Sequence, residues 1–282
     1  MKPPRFFLAA LFLVIPQFNA SAQGNSVQEQ AELDGYAHFL SMTSTELKEL
    51  VSKAESGDAE AQYWVAVDSE SGLRLEMDSE KATQWLLKSA EGGFAPAQRK
   101  YGLMFAHSDP LVGKQWLFAA AEQGDAEAQM WLGTADEGGW FGAPDAQGAL
   151  KWYRMAAEAG QVDAQMLLGN RYELGHGVQQ DYAVAADWYR KAAKHVLPVS
   201  PGANEARYHL ALLYIEGHGV PQDYVQAYFW LRLVGPEENV IKAKAHMSPT
   251  QISEGEELVK LWKEQHRLKP EIMAAYHIVD AP

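Results

Sequence analysis

The chain has 282 residues, no cysteine, and 37 acidic residues against 24 lysines and arginines, for a net charge of −13. The lack of cysteine excludes disulfides, thiolate metal sites and thiol nucleophiles. The acidic balance argues against nucleic acid and anionic membrane surfaces as partners, because contacts to phosphate groups need clustered lysine and arginine.

The first 22 residues have the pattern of a secretory signal peptide. Lys2 and Arg5 form a basic head, residues 6–15 are an apolar run, and Ala20-Ser21-Ala22 is a small-residue cleavage site. The apolar run is too short to cross a bilayer, and no later segment is long enough to do so. We therefore expect an exported chain, periplasmic or secreted, that begins near Gln23 and has no membrane-inserted part. An uncleaved membrane anchor is the alternative.

One sequence pattern recurs five times along the chain. An Ala-Gln pair occurs at 61–62, 97–98, 128–129 and 164–165, with Ala206-Arg207 as the fifth, and each is followed by a tryptophan: Trp85, Trp116, Trp152, Trp188 and Trp230. A period of this size is typical of stacked helix pairs, each too small to bury its own apolar face. The pattern predicts an all-α solenoid of about twelve helices in antiparallel pairs, with no sheet.

The first helix of a pair is clearest in the fourth repeat. Ala164, Leu168 and Tyr172 are four residues apart and share one helix face. Gly169 allows a neighbouring helix to approach closely, and the glycines at 175 and 177 supply the positive φ angles of a tight turn.

The second helix of the same repeat begins at Asp181. Its carboxylate can accept hydrogen bonds from the first turn, so we interpret this aspartate, and the equivalent Asp78, Asp145 and Asp223, as N-caps rather than as catalytic groups. Trp188 is expected to be a mostly buried anchor of this helix, in contact with the neighbouring core.

The sequence Gly-His-Gly-Val-x-x-Asp-Tyr occurs at 175–182 and again at 217–224. With its helical flanks, the region 45–235 resembles the Sel-one-like repeat family, a relative of the tetratricopeptide repeats. The resemblance implies a right-handed superhelix of antiparallel helix pairs and a role in scaffolding or protein recognition, often in bacterial envelopes. Some cysteine-rich relatives are associated with penicillin binding, but this chain lacks their disulfides.

The predicted organisation has four parts: a signal peptide at 1–22, a linker at 23–42, the solenoid at 43–235, and a capping region with a tail at 236–282. Capping boxes that begin at Thr43 and Ser248 predict helices that cover the two ends of the solenoid. The glycine-rich loop 138–142 departs from the repeat pattern, as does the shortened second repeat.

No catalytic motif is present: Ser-x-x-Lys, Gly-x-Ser-x-Gly, His-Glu-x-x-His and a phosphate loop are all missing from the sequence. We therefore predict no catalytic residue, cofactor or metal ligand. His176 and His218, in equivalent Gly-His-Gly turns, could form a metal site or a pH sensor if they converge. The alternative is that both are exposed loop residues.

Five residues of the first helices lie outside the helix face that carries the repeated Ala, Leu and Tyr positions. They are the candidates for partner binding: Trp64, Lys100, Trp131, Leu167 and His209. On the concave side of a solenoid, exposed tryptophans would be good anchors, because aromatic residues dominate binding hot spots. The alternative is that Trp64 and Trp131 wedge between neighbouring helices as core.

The leading hypothesis is an exported repeat protein that binds a protein or peptide through a concave groove. Two alternatives remain at this point. One is an envelope enzyme acting on peptidoglycan or a β-lactam through a carboxylate pair, and the other is a regulator that docks on a membrane-bound partner.

Overall fold

A computed structural model describes residues 35, 38–39, 41–195 and 201–266; the predicted signal peptide, most of the linker and the tail from residue 267 lie outside these ranges. The described residues form helices and no strand, which confirms the predicted all-α repeat fold. The helices are α1 (Ser44–Glu55), α2 (Ala59–Ser71), α3 (Ser79–Glu91), α4 (Ala95–Phe105), α5 (Pro110–Glu122), α6 (Ala126–Gly138), α7 (Ala146–Glu158), α8 (Val162–Leu174), α9 (Tyr182–Ala193), α10 (Pro201–Glu216), α11 (Tyr224–Val234), α12 (Glu237–Lys244) and α13 (Pro249–Gln265).

The chain divides into two compact units, with the boundary between Ala164 and Gln165 inside α8. In the first unit α2 packs on α3, α4 on α5, and α6 on α7, while α1 covers α2. In the second unit α10 packs between α9 and α11, and α12 and α13 both pack on α11. Among the described helices, none combines the length and the apolar character needed to cross a membrane.

The recurring glutamine of the repeats joins consecutive helices. The buried side-chain amide of Gln62 donates to the carbonyl of Ala54 at the end of the preceding helix, at 3.0 Å. Gln98 and Gln129 donate in the same way to Ala90 and Ala121. In the fifth repeat Arg207 replaces the glutamine, and its Nε donates to the Ala193 carbonyl at 2.9 Å. The substitution therefore preserves a bond that satisfies a carbonyl at a helix end.

The aspartates that precede the second helices are N-caps, as predicted. Asp181 Oδ1 accepts hydrogen bonds from the backbone N–H groups of Ala183 and Val184. The predicted caps Asp78, Asp145 and Asp223 bond in the same way. Both predicted capping boxes, at Thr43 and Ser248, are also present. Each of these carboxylates and hydroxyls satisfies backbone donors that would otherwise lack partners.

Close packing at Gly169 is confirmed. A Cβ atom at this position would lie 2.5 Å from Cδ1 of Tyr189, which is closer than real Cβ contacts allow. The absence of a side chain at Gly169 therefore lets the Tyr189 ring lie directly on α8. Tyr189 is fully buried as a result, with 0% of its surface exposed.

The expectation that Trp188 is mostly buried is met only in part, because the side chain keeps some exposed surface and the fully buried residue of this helix is Tyr189. Trp188 is only half-buried, and the Lys191 ammonium lies 3.7 Å from its ring centroid. The reason is helical geometry: Ala185, Tyr189 and Ala192 lie at spacings of three and four on the buried stripe, and Trp188 falls on its flank. The flanking tryptophans Trp85, Trp116 and Trp152 are half-buried in the same way, whereas Trp230 is buried.

Replacing Tyr189 should therefore destabilise the protein more than replacing Trp188. Tyr189→Ala should lower the free energy of unfolding by about 3–5 kcal/mol, the usual cost of deleting a buried aromatic ring. Trp188→Ala should cost clearly less, because part of that ring is exposed on the flank of the helix, where the Lys191 ammonium lies over it. Urea denaturation of both variants measures the two costs, and an equal or larger loss for Trp188→Ala would contradict the observed burial.

Candidate functional site

The candidate Trp64, on α2, is a core residue. Its ring stacks on Phe39, with 5.4 Å between ring centroids, and contacts the edge of Tyr63. Only 7% of its surface is exposed. The Arg74 side chain completes the cover, because it donates to the Phe39 carbonyl and lies over the Phe39 ring. Of the two alternatives that the sequence left open for Trp64, the structure supports the core residue and contradicts the exposed anchor, because Phe39 covers the ring.

Lys100, on α4, is a paired cation. Its ammonium lies 2.6 Å from the Glu70 carboxylate at the end of α2. The neighbouring Arg99 is buried, and it pairs with Asp125 at 3.1 Å and with Glu127. The two cations of this helix therefore join α4 to α2 and to the start of α6, and each has its own acidic partner.

Trp131, on α6, lies in an aromatic cluster that keeps part of its surface exposed. Its ring centroid is 6.1 Å from that of Trp140, which in turn is 5.3 Å from His107 at the end of α4. Trp131 and Trp140 are half-buried, and His107 is exposed. Met104, one turn before His107, is 47% exposed. We call the three rings of Trp131, Trp140 and His107 the aromatic cluster.

The sequence indicated only one member of the aromatic cluster. Trp140 belongs to the glycine-rich loop that departs from the repeat pattern, and Gly139, with φ of +66°, turns the chain there so that the indole packs near α6. The signal that could have identified Trp140 is an aromatic residue inserted where two other repeats have Gly-His-Gly. His107 and Met104 carried no such signal.

The candidates Leu167 and His209 belong to the second unit, and both are half-buried. The His209 Nδ1 atom lies 3.0 Å from Glu173 Oε2, and the imidazole stacks on the Tyr189 ring with 5.1 Å between centroids. The Tyr189 hydroxyl donates to the same carboxylate oxygen at 2.5 Å. A histidine of one repeat and a carboxylate of the preceding repeat thus form a polar contact over the buried tyrosine.

The contact between His209 and Glu173 shifts the pKa values of both side chains. The neighbouring Glu173 carboxylate raises the pKa of His209, although burial of the imidazole opposes the rise. For Glu173, burial alone would raise the carboxyl pKa, but the His209 and Tyr189 contacts outweigh it, so the pKa is lowered. The imidazolium and the carboxylate therefore stabilise each other when both are charged.

His176 and His218 behave as loop residues. Both are exposed. His218 Nδ1 lies 3.0 Å from Glu216 Oε2 at the end of α10, and the His218 ring packs on Tyr182. Across the described ranges, no three histidine or carboxylate side chains are grouped so that they could hold a metal ion.

Comparison with known proteins gives a family match. The Sel1 repeat profile matches residues 59–94, 95–125, 126–161, 162–195 and 204–233. The chain is similar to the crystal structure of a Sel1 repeat protein from Oxalobacter formigenes, with 28% identity and a TM-score of 0.60 over 75% of this chain and 59% of that one. It is also similar to a protective antigen of uropathogenic Escherichia coli strains that displays an SLR fold, with 26% identity and a TM-score of 0.49 over 84% of this chain and 59% of that one. The chain thus spans 59% of the length of each of these proteins. A comparison with curated proteins found no match.

The His209–Glu173 contact should make stability depend on pH. Because the folded-state pKa of His209 is raised, the folded protein holds its proton more tightly, and this contribution is fully present below the ordinary histidine pKa of about 6.5. It is lost as the pH rises through the raised folded-state value. His209→Gln should therefore flatten the fall of melting temperature over this range, which thermal melts in a pH series would measure. An unchanged pH profile in the variant would contradict the ion pair.

Proposed function

The chain belongs to the Sel1 repeat family, which typically provides non-enzymatic scaffolds for protein–protein interaction, and on this premise we propose that it binds a protein partner through the first helices of its repeats. Within the first unit these helices are α2, α4 and α6. The surface around the aromatic cluster on α4 and α6 is the part of this face that we assign to recognition.

The partly exposed aromatic cluster is the observation that supports the proposal. Trp131 and Trp140 present ring surface beside the exposed His107, and Met104, one turn before His107 in the chain, is 47% exposed. Tryptophan is enriched in binding hot spots because a rigid ring buries a large area at a low cost in conformational entropy. Methionine adds an adaptable apolar contact. The cluster is therefore suited to an apolar or aromatic side chain of a partner.

The two cations of α4 already have acidic partners within the protein. Lys100 is paired with Glu70, and the buried Arg99 is paired with Asp125 and Glu127. Removing one partner of a buried ion pair would destabilise the fold by more than a contact at the edge of an interface would stabilise a complex. We therefore assign affinity to the aromatic rings, and to the charged pairs the role of holding α2, α4 and α6 in place.

The test is a comparison of three variants against a partner captured from envelope extract and then purified. Trp140→Ala should weaken binding by about 2 kcal/mol or more, the loss typical of a hot-spot residue, with little change in melting temperature. Trp64→Ala should instead lower the melting temperature, because that ring is buried against Phe39. Met77→Ser, at an exposed position of the same unit, is the matched surface control. Calorimetric titration gives the affinities, and parental affinity in a folded Trp140→Ala variant would remove the cluster from the site.

We also propose that the chain is exported and acts in the periplasm or outside the cell. The support is the basic head, the short apolar run and the small-residue site that end at Ala22. Expression in a bacterial host, followed by mass spectrometry of the periplasmic fraction, should recover a protein that begins at Gln23. Lys2→Glu with Arg5→Glu should reduce that fraction, because both substitutions remove the basic head. Recovery of the full-length chain from the cytoplasm alone would contradict export.

A further inference from the structure

The segment before α1 docks on the first repeat through one phenylalanine. We call residues 35–42 the strap; among its described residues Phe39 is the one with a buried side chain, at 1% exposed. The Phe39 ring lies between two groups of the first repeat. The Trp64 indole stacks on it at 5.4 Å between centroids, with 16° between the ring planes, and the Arg74 guanidinium lies 4.2 Å from its centroid. The first repeat thus forms a pocket for an aromatic ring.

Arg74 also binds the backbone of the strap. Its Nη2 atom donates to the Phe39 carbonyl at 2.6 Å, and its Nη1 atom donates to the Met42 carbonyl at 3.3 Å. Phe39 has helical backbone, and Met42 follows the end of that helical stretch. Carbonyls at a helix end lack partners within the helix, and a cation there complements the helix dipole. Arg74 therefore recognises an aromatic ring at the C-terminal end of a helix, whichever chain supplies it.

The groups that hold the strap are peculiar to the first repeat. Arg74 lies in the loop after α2, and the Asp68 carboxylate lies beneath its guanidinium, with Oδ1 3.9 Å from Nε. Counted back from the N-cap aspartates, the equivalent residues of the fourth and fifth repeats are Gly177 and Gly219 for Arg74, and Arg171 and Leu213 for Asp68. The helix pair therefore forms without this arginine and aspartate, and their contacts in the first repeat serve the strap.

The buried part of this attachment is incompletely satisfied. The Asp68 side chain is 0% exposed, and its Oδ2 atom accepts from the Leu75 backbone N–H at 2.7 Å. Asp68 Oδ1 and Arg74 Nε are buried and have no hydrogen-bond partner among the described residues. Burial raises the pKa of the Asp68 carboxyl, which shows that its charge is costly there. Departure of the strap would admit water to both atoms, and this gain offsets part of the cost of opening.

The strap covers a position that is an anchor elsewhere on the same face. Trp64 and Trp131 both lie three residues after the alanine of their Ala-Gln pair. Trp131 is half-buried and belongs to the aromatic cluster, whereas Trp64 is 7% exposed because Phe39 lies on it. Removal of the strap would therefore present a second tryptophan on the first helices, beside a guanidinium group that is already positioned.

We propose that the pocket of Trp64 and Arg74 is a binding site for a phenylalanine at a helix C-terminus, filled by the strap in cis and by a segment of a protein partner when the strap opens. This inference rests on the proposed role of the first helices in recognition, and it names the chemistry of the partner. The tethered strap competes at an effective concentration on the order of millimolar, so it excludes weak ligands from the pocket. A partner that brings both the ring and the helix end can displace it.

Opening of the strap can be tested without any substitution by hydrogen exchange of the chain from Gln23 onwards, measured by mass spectrometry in a urea series. Residues 35–42 should exchange at least about tenfold faster than α2 and with little dependence on urea, because a local opening exposes little surface. Arg74→Gln should speed exchange in the strap by a further tenfold or so, the loss of about two hydrogen bonds from a charged donor. Lys81→Gln, at an exposed ion pair of the same unit, is the matched control and should not change it.

Binding in trans is tested with a fluorescein-labelled peptide that has the sequence of residues 29–42. In fluorescence anisotropy the Phe39→Ala chain should bind this peptide, and the parent should bind it at least about tenfold more weakly because its own strap competes. The same peptide with the Phe39→Ala change should bind neither protein. Arg74→Gln added to the Phe39→Ala chain should weaken binding by about tenfold or more, whereas Lys81→Gln should leave it unchanged.

A further variant separates this pocket from the aromatic cluster. Trp140→Ala added to the Phe39→Ala chain should bind the peptide with the same affinity, so failure of either site is distinguishable from failure of the other. Four results would overturn the proposal: exchange of the strap with the full urea dependence of α2, no binding of the peptide to the folded Phe39→Ala chain up to about 1 mM, equal binding of the alanine peptide, or a parent dimer in sedimentation that Phe39→Ala abolishes. The last result would place the strap on a second copy.

Discussion

The close approach of the two helices in each pair is the contact on which the rest of the structure depends. In three of the five repeats a large side chain at the centre of the second helix lies against a glycine of the first, as Tyr189 does on Gly169. The first and fifth repeats have Ala66 and Ala211 at this position. Tyr153 lies in the same way on Gly133, and Leu117 on Gly102. A methyl group at any of these glycines would lie 2.9 Å or less from that side chain. Because a single pair has little other core, the spacing set by this contact decides how the pair packs.

This contact also decides which side chains remain available for function. The helix position that buries Tyr189 turns the preceding Trp188 to the flank, where a lysine covers it. The tryptophans that mark the repeats in the sequence are therefore mostly at the edge of the core. Part of each of these edge tryptophans therefore belongs to the protein surface. The residue three positions later on the same helix sets the chemistry beside the ring: Lys191 follows Trp188, whereas Met155 follows Trp152.

The departures from the repeat pattern concentrate in the second and third repeats. The loop with Trp140, the carboxylate at Asp136 and the apolar residues Phe118 and Met155 all lie there. The stacking of helices tolerates such changes, because each repeat needs only its contacts to its neighbours. Positions that break a local pattern without an evident gain in stability are where functional surfaces are expected. The aromatic cluster proposed for binding lies in this part of the first unit.

The sequence by itself determined the helix pairs, the caps and the repeat register, since these follow from local periodicity, from aspartate and serine chemistry at helix starts, and from glycine at turns. It left two alternatives for Trp131, an exposed anchor or a core residue, and the side chain is in fact half-buried and packs against the core formed by Leu117 and Leu132. Only the tertiary structure decided that Trp64 is covered by Phe39, that Tyr189 rather than Trp188 is the anchor, and that His107 and Trp140 join Trp131. The physical reason is that a repeat pattern fixes only the helix face on which a residue lies. The burial of that residue depends on which side chain a neighbouring element places against it, and such side chains are distant in the sequence.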